Sequence, residues 1–141
     1  MTIRAMDHFT IVTDRIAETI AFYQMLGLAE GARPDFGFEG AWLYAGERPV
    51  LHIVKVSRMP EPRRGVLDHM AFSGEGLLGL SEQLESRGLP YRIIRTPRPF
   101  SRWQMFLEDP NGVEVELDFD ISESPPQDWK ISGGAMKSPA N

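Results

Sequence analysis

The chain should fold as an α+β protein built from two βαβββ modules in series, and three observations predict it. A strand-like run opens at Asp7-His8-Phe9 and again at Asp68-His69-Met70, an offset of 61 residues. Gly27-Leu28 lies 19 residues after His8, and Gly88-Leu89 lies 19 residues after His69, each behind a helical pattern. Three strand candidates then follow each glycine. One spacing of strand, helix and stop, met twice, is the signature of a duplicated unit.

The elements follow in order. His8-Phe9-Thr10-Ile11-Val12 begins the first module as a strand. The first helix is predicted over 14–26, because Ile16, Ile20 and Tyr23 recur at i, i+4 and i+7. Thr13 or Asp14 is its expected cap, and Gly27 suits the left-handed residue that ends it. The second helix is predicted over 76–87, with Leu77, Leu80 and Leu84 on one face and Gly88 as the stop, although Gly76 and Gly79 weaken it. Strands are predicted over 29–33, 41–44 and 50–56, then over 91–95, 103–107 and 113–119. Asp109-Pro110-Asn111-Gly112 is a turn that joins the last two as a hairpin. The modules are thus 1–56 and 66–120, joined by a Pro- and Arg-rich linker, 57–65. Residues 121–141 lose periodicity and gain Ser, Pro and Gly, so they read as a tail, mobile or laid over a partner surface.

Composition bounds the function. At 141 residues the chain has room for one domain or two half-domains sharing a core. Hydrophobic residues at 42% and charged residues at 25% are ordinary for a globular protein and exclude a disordered one. No apolar run approaches the roughly 18 residues of a membrane span and no signal peptide opens the chain. A cytoplasmic protein without membrane association is therefore expected. The absence of cysteine excludes disulfides, thiolate metal sites and a cysteine nucleophile. A net charge of −5 disfavours a nucleic-acid partner.

The three histidines are the informative residues. Strand side chains alternate between faces. In the last strand Val113, Val115, Leu117 and Phe119 form an apolar face, so Glu114, Glu116 and Asp118 point the other way. By the same parity His8 lies opposite Phe9 and Ile11, His52 opposite Leu51 and Ile53, and His69 opposite Met70 and Phe72. His8 and His69 start the first strand of each module, and His52 and Glu116 lie in the fourth. A lone strand histidine is more often a hydrogen-bonded structural residue. Four N or O donors at equivalent places in two modules point instead to a metal site.

These residues resemble the vicinal oxygen chelate superfamily, also called the glyoxalase/bleomycin resistance/dioxygenase superfamily. The resemblance spans residues 5–120 and rests on Asp7-His8, Phe22-Tyr23-Gln24-Met25-Leu26-Gly27-Leu28, Asp68-His69-Met70-Ala71-Phe72 and the run from Gln104 to Leu117. It implies a curled mixed β-sheet cup with helices outside, holding a divalent metal ion. Carried over by position, the ligands are His8, His69 and Glu116, with His52 at the fourth place. It also implies a small-molecule substrate and a homodimer.

A two-histidine, one-carboxylate face leaves positions open for a substrate with two adjacent oxygens. The imidazoles suit Zn, Ni, Co or Fe(II) better than Mg or Ca, and Mn is kept with them as an expected divalent ion. Glu116, the only carboxylate in the set, is the expected catalytic group. Extradiol ring-cleaving members carry a Tyr where Phe106 stands and a His where 96–101 has none, which argues against that dioxygenase chemistry. Glyoxalase I relatives carry Glu or Gln where His52 stands. The leading expectation is a metal-dependent lyase or isomerase, or a related transferase. The alternatives are a drug- or metabolite-sequestering protein of the bleomycin-resistance type and an Fe(II) dioxygenase. Trp42, Tyr44, Gln104 and Phe106 share the inner parity and are expected to bind substrate, although Trp42 or Tyr44 could simply fill the cup. Arg102, in a cluster with Arg92, Arg95 and Arg98, suits an anionic substrate group, and a solvated sheet edge is the other reading.

Overall fold

Each half of the chain carries the same elements in the same order. A computed structural model describes residues 2–129, and the chain divides into two units, Met1–Arg63 and Arg64–Asn141. In the first, β1 (Phe9–Thr13) leads into α1 (Ile16–Met25), then β2 (Ala29–Gly31), β3 (Gly40–Ala45) and β4 (Arg48–Lys55). In the second, β5 (His69–Ser73) leads into α2 (Leu77–Ser86), then β6 (Tyr91–Arg95), β7 (Trp103–Glu108) and β8 (Glu114–Phe119). The sheet orders are β1-β4-β3-β2 and β5-β8-β7-β6. In each, the first strand runs parallel to the fourth, and the other pairs are antiparallel. The fold is α+β with two βαβββ units and two mixed sheets, as the repeat predicts.

Alternation sets the core of each unit. Ala41 and Leu43 on β3 and Leu51 and Ile53 on β4 are buried with Phe22 and Tyr23 of α1. In the second unit Met105 and Leu107 on β7 and Val115, Leu117 and Phe119 on β8 are buried, as are Leu77 and Leu84 of α2. Both helices end alike. Gly27 (φ 102°) and Gly88 (φ 65°) adopt the left-handed conformation. The Leu28 N–H reaches back to Tyr23 O at 3.0 Å and the Leu89 N–H to Leu84 O at 3.0 Å. This six-residue closure satisfies helix-end carbonyls, and only glycine enters it without strain.

The helix starts differ from expectation. α1 has Arg15 at its cap position with no side-chain cap. Thr13 Oγ1 accepts the Arg15 N–H at 2.9 Å instead, one step upstream of the helix. α2 opens at Gly76 in the left-handed region. Its free N–H groups are met by a residue distant in sequence: Glu123 Oε2 accepts from Gly76 N at 2.9 Å and Leu77 N at 2.7 Å. A carboxylate there also complements the positive end of the helix. Glu123→Ala should lower stability by about 1 kcal/mol, the usual cost of a lost cap, read as a shift in urea midpoint at constant slope.

Glu123 belongs to the segment predicted as a tail. Residues 121–129 lie on their own unit. The Trp103 indole N–H donates to Glu123 O at 2.9 Å, Trp129 meets Trp103 edge to face at 4.6 Å, and the Trp129 N–H donates to Ile93 O at 3.1 Å. Residues 130–141, the remainder of that segment, lie outside the described residues. Among the described residues no helix is long and apolar enough to cross a membrane.

Candidate metal centre

Strand register brings two donor pairs together, one in each unit. In the first unit β4 is central, so His52 is flanked by Thr10 of β1 and Trp42 of β3. His8 sits just ahead of β1, and its ring stacks on His52 at 3.7 Å. Trp42 stacks on the same His52 ring at 4.1 Å, within 7° of parallel. His8 Nδ1 is held by Asp7 Oδ1 at 2.5 Å, and this contact lowers the Asp7 carboxyl pKa. Burial, and then the positive charge available at His8, push the His52 pKa down. His52 Nε2 is buried with no hydrogen-bond partner.

In the second unit β8 is central. Ala71 of β5 and Phe106 of β7 flank Glu116. His69 Nδ1 is held by Asp68 Oδ2 at 2.7 Å, and His69 Nε2 lies 2.9 Å from Glu116 Oε2. The hydrogen bond to the Asp68 carboxylate raises the His69 pKa, as does the negative charge of Glu116. Glu116 is buried, and burial, helped by the neighbouring Asp118 carboxylate, raises its carboxyl pKa. The Gln104 amide nitrogen donates to Glu116 Oε1 and, at 2.9 Å, to Asp118 Oδ1.

Each pair, taken by itself, has features that suit metal ligands. A buried imidazole nitrogen without a partner costs free energy unless something accepts its lone pair, and His52 Nε2 is such an atom. A metal-binding histidine characteristically has its other ring nitrogen on a carboxylate, which fixes the ring and raises its basicity. Asp7 does this for His8, and Asp68 for His69. His69 Nε2 and Glu116 Oε2 face each other as two ligands of one ion would.

The one cluster of three donors found among the described residues is a different set, and it does not include His8, His52 or Glu116. Among the described residues, Asp68, His69 and Glu114 offer donor atoms within 4.8 Å of one another and could hold a metal ion. Its third member is already compensated. Glu114 pairs with Arg92 at 3.2 Å and Arg64 at 3.5 Å, so a cation there would compete with two guanidinium groups. Among the described residues Glu116 has no guanidinium partner, and its Oε2 lies 2.9 Å from His69 Nε2.

The residues predicted to meet substrate have varied surroundings. Trp42 stacks on His52. The Tyr44 hydroxyl is donated to Ala32 O at 2.6 Å, and its ring lies against Gly31, where a Cβ would come within 2.7 Å. Phe106 is buried, edge-on to His69 at 6.1 Å and under the Arg92 guanidinium at 3.9 Å. Gln104 orients Glu116. Arg102 is exposed, and its backbone N–H is taken by Thr96 Oγ1 at 2.8 Å. Sequence reasoning missed Asp7 and Asp68 as orienting groups. The signal was present, since each precedes its histidine at the same repeat offset.

Comparisons with known proteins identify the family and the fold. The family model for the Glyoxalase/Bleomycin resistance protein/Dioxygenase superfamily matches residues 5–117. No curated protein matches the chain. Among solved structures, a glyoxalase family protein from Bacillus anthracis is 20% identical with a TM-score of 0.69, covering 85% of this chain and 98% of that one. A glyoxalase from Bacillus halodurans is 28% identical with a TM-score of 0.58, covering 81% and 94%. A lactoylglutathione lyase from Agrobacterium tumefaciens is 19% identical with a TM-score of 0.59, covering 82% and 92%.

Proposed function

Because the chain belongs to the Glyoxalase/Bleomycin resistance protein/Dioxygenase superfamily, we propose that it is a metal-dependent enzyme acting on a small oxygen-rich substrate, of lyase, isomerase or related transferase type. The observation that carries this reading is the 2.9 Å approach of His69 Nε2 to Glu116 Oε2, with the far side of each group held by Asp68 and Gln104. The proposed ligands are His69, Glu116, His8 and His52, which suit Zn, Ni, Co, Mn or Fe(II). Such an ion, when bound, supplies Lewis-acid polarisation of a substrate carbonyl or phosphoryl oxygen.

The chain's own groups supply the rest. Asp7 and Asp68 keep the two histidine rings in one orientation and one tautomer. Gln104 fixes Glu116 Oε1, so Oε2 is the atom at which a proton is held or moved. Burial raises the affinity of that carboxyl for a proton, which brings it nearer the range useful to a base at neutral pH. Glu116 is the proposed catalytic residue on that ground. A homodimer in the cytoplasm is the assembly and setting proposed with it.

The test is turnover. The metal-free chain, reloaded separately with Zn, Ni, Co, Mn and Fe(II), is assayed on hemithioacetals, epimerisable acids and fosfomycin with a thiol. Turnover that a chelator abolishes is the expected result. Tight ligand binding without turnover, surviving chelation, would identify a sequestering protein instead. Oxygen uptake with Fe(II) and none with Zn would identify a dioxygenase.

A further inference from the structure

The segment between β2 and β3 carries groups that neither the fold nor the metal centre uses. Phe36 and Phe38 are 48% and 51% exposed, with rings nearly parallel and 5.6 Å apart. Phe36 also meets Trp42 at 6.1 Å, and Trp42 stacks on His52. A row of rings therefore leads from the proposed ligand His52 out to solvent. The Arg33 guanidinium sits over both phenyl rings, 4.9 Å from Phe36 and 5.1 Å from Phe38.

Arg33 is held in place but not neutralised. The guanidinium also lies against Gly40, where a Cβ would come within 2.4 Å of Ile53 O and 3.0 Å of Arg33 Nη2. The acids beside it in sequence are engaged elsewhere: Asp35 accepts the Gly37 N–H at 2.9 Å, and Glu39 pairs with Lys55 at 2.7 Å. Among the described residues no carboxylate pairs with Arg33. Its planar fork is matched to a carboxylate, which it binds through two parallel hydrogen bonds. Exposed ring faces are matched to a flat apolar body.

We propose that Arg33, Phe36, Phe38 and Trp42 form a subsite for an aromatic carboxylate. The ligand's ring lies along the exposed aromatic faces and its carboxylate meets the Arg33 fork. A second copy of the chain fits the patch less well. A two-fold contact through it would set Arg33 against its own symmetry mate, and the neighbouring carboxylates of Asp35 and Glu39 are already engaged by the Gly37 N–H and by Lys55. The inference rests on the proposed function only for what happens at the substrate's reacting end, since the four residues belong to one unit and contain no proposed ligand.

The experiment uses the full chain, stripped of metal and kept in chelator, titrated calorimetrically with benzoate, cyclohexanecarboxylate and benzamide. Benzoate should bind tighter than either of the others, which lack the π face or the charge. Arg33→Gln should weaken benzoate about tenfold, the scale of one charge-assisted contact, and leave benzamide unchanged. Phe36→Leu should erase most of the preference for benzoate over cyclohexanecarboxylate. Equal affinity for all three probes, or a benzoate affinity indifferent to Arg33→Gln, would overturn the subsite. So would a dimer that Phe36→Ser dissociates, which would assign the patch to a second copy. Metal content of Arg33→Gln should equal that of the natural chain. The subsite and the metal reading can therefore fail independently.

Discussion

Glu116→Gln should bind divalent metal more than about 100-fold more weakly than the natural chain, beyond the 10–100-fold that an orienting partner typically contributes. The substitution keeps the shape and removes the charge. The amide oxygen of Gln still accepts from Gln104, where Glu116 Oε1 does so now. Its NH2 group, however, would face His69 Nε2, where a carboxylate oxygen now lies at 2.9 Å. An amide nitrogen offers an ion no lone pair, and the site loses its one anion. Asp68→Asn should have the smaller effect, because the ring would keep a hydrogen-bond acceptor on Nδ1. Competition with a chromophoric chelator measures both, and circular dichroism shows whether the fold persists. Equal affinity in the natural chain and Glu116→Gln would remove Glu116 from the ligand set.

Asp109→Ala should destabilise the chain by about 3 kcal/mol, because a buried acceptor serving two backbone donors is lost. Asp109 Oδ1 takes the Asn111 N–H at 2.7 Å and the Val113 N–H at 2.9 Å. Asp109 and Asn111 are 5% and 4% exposed, so water reaches those N–H groups poorly. Gly112, at φ 84°, completes the turn. The hairpin sets the register that places Phe106 opposite Glu116. Asp109→Asn keeps one acceptor oxygen and should cost about 1 kcal/mol. Urea denaturation followed by tryptophan fluorescence reads the difference. A midpoint for Asp109→Ala within error of the natural chain would show that the turn is held by its backbone alone.

What the sequence made legible was periodic or repeated. Parity along single strands put His52 on the opposite face from Leu51 and Ile53, and Glu116 opposite Val115 and Leu117, because a strand's period of two is rigid. The helix stops at Gly27 and Gly88 were legible because only one residue type suits that backbone. Contacts between residues distant in sequence were not. Nothing local marks Glu123 as the cap of α2, 46 residues upstream at Leu77. Nothing in the even spacing of Arg92 and Glu114 announces their ion pair, which needs three strands in register. Gln104 looked like a substrate contact because its parity is right. Its amide faces Glu116 and Asp118 because both lie on the neighbouring strand. Arg33, Phe36 and Phe38 escaped notice because loops have no period to read.

The central proposal is that the three histidines and Glu116 are metal ligands. Elemental analysis of protein purified without chelator or affinity metal tests it most directly, repeated on His8→Ala and His69→Ala. The account predicts a single Zn, Ni, Co, Mn or Fe ion per chain in the natural protein, lost in both variants. Metal retained in His8→Ala but lost in His69→Ala would contradict a shared ligand set and leave the Asp68, His69 and Glu114 grouping as the site. No metal in the natural protein, and none taken up on titration, would make these residues structural.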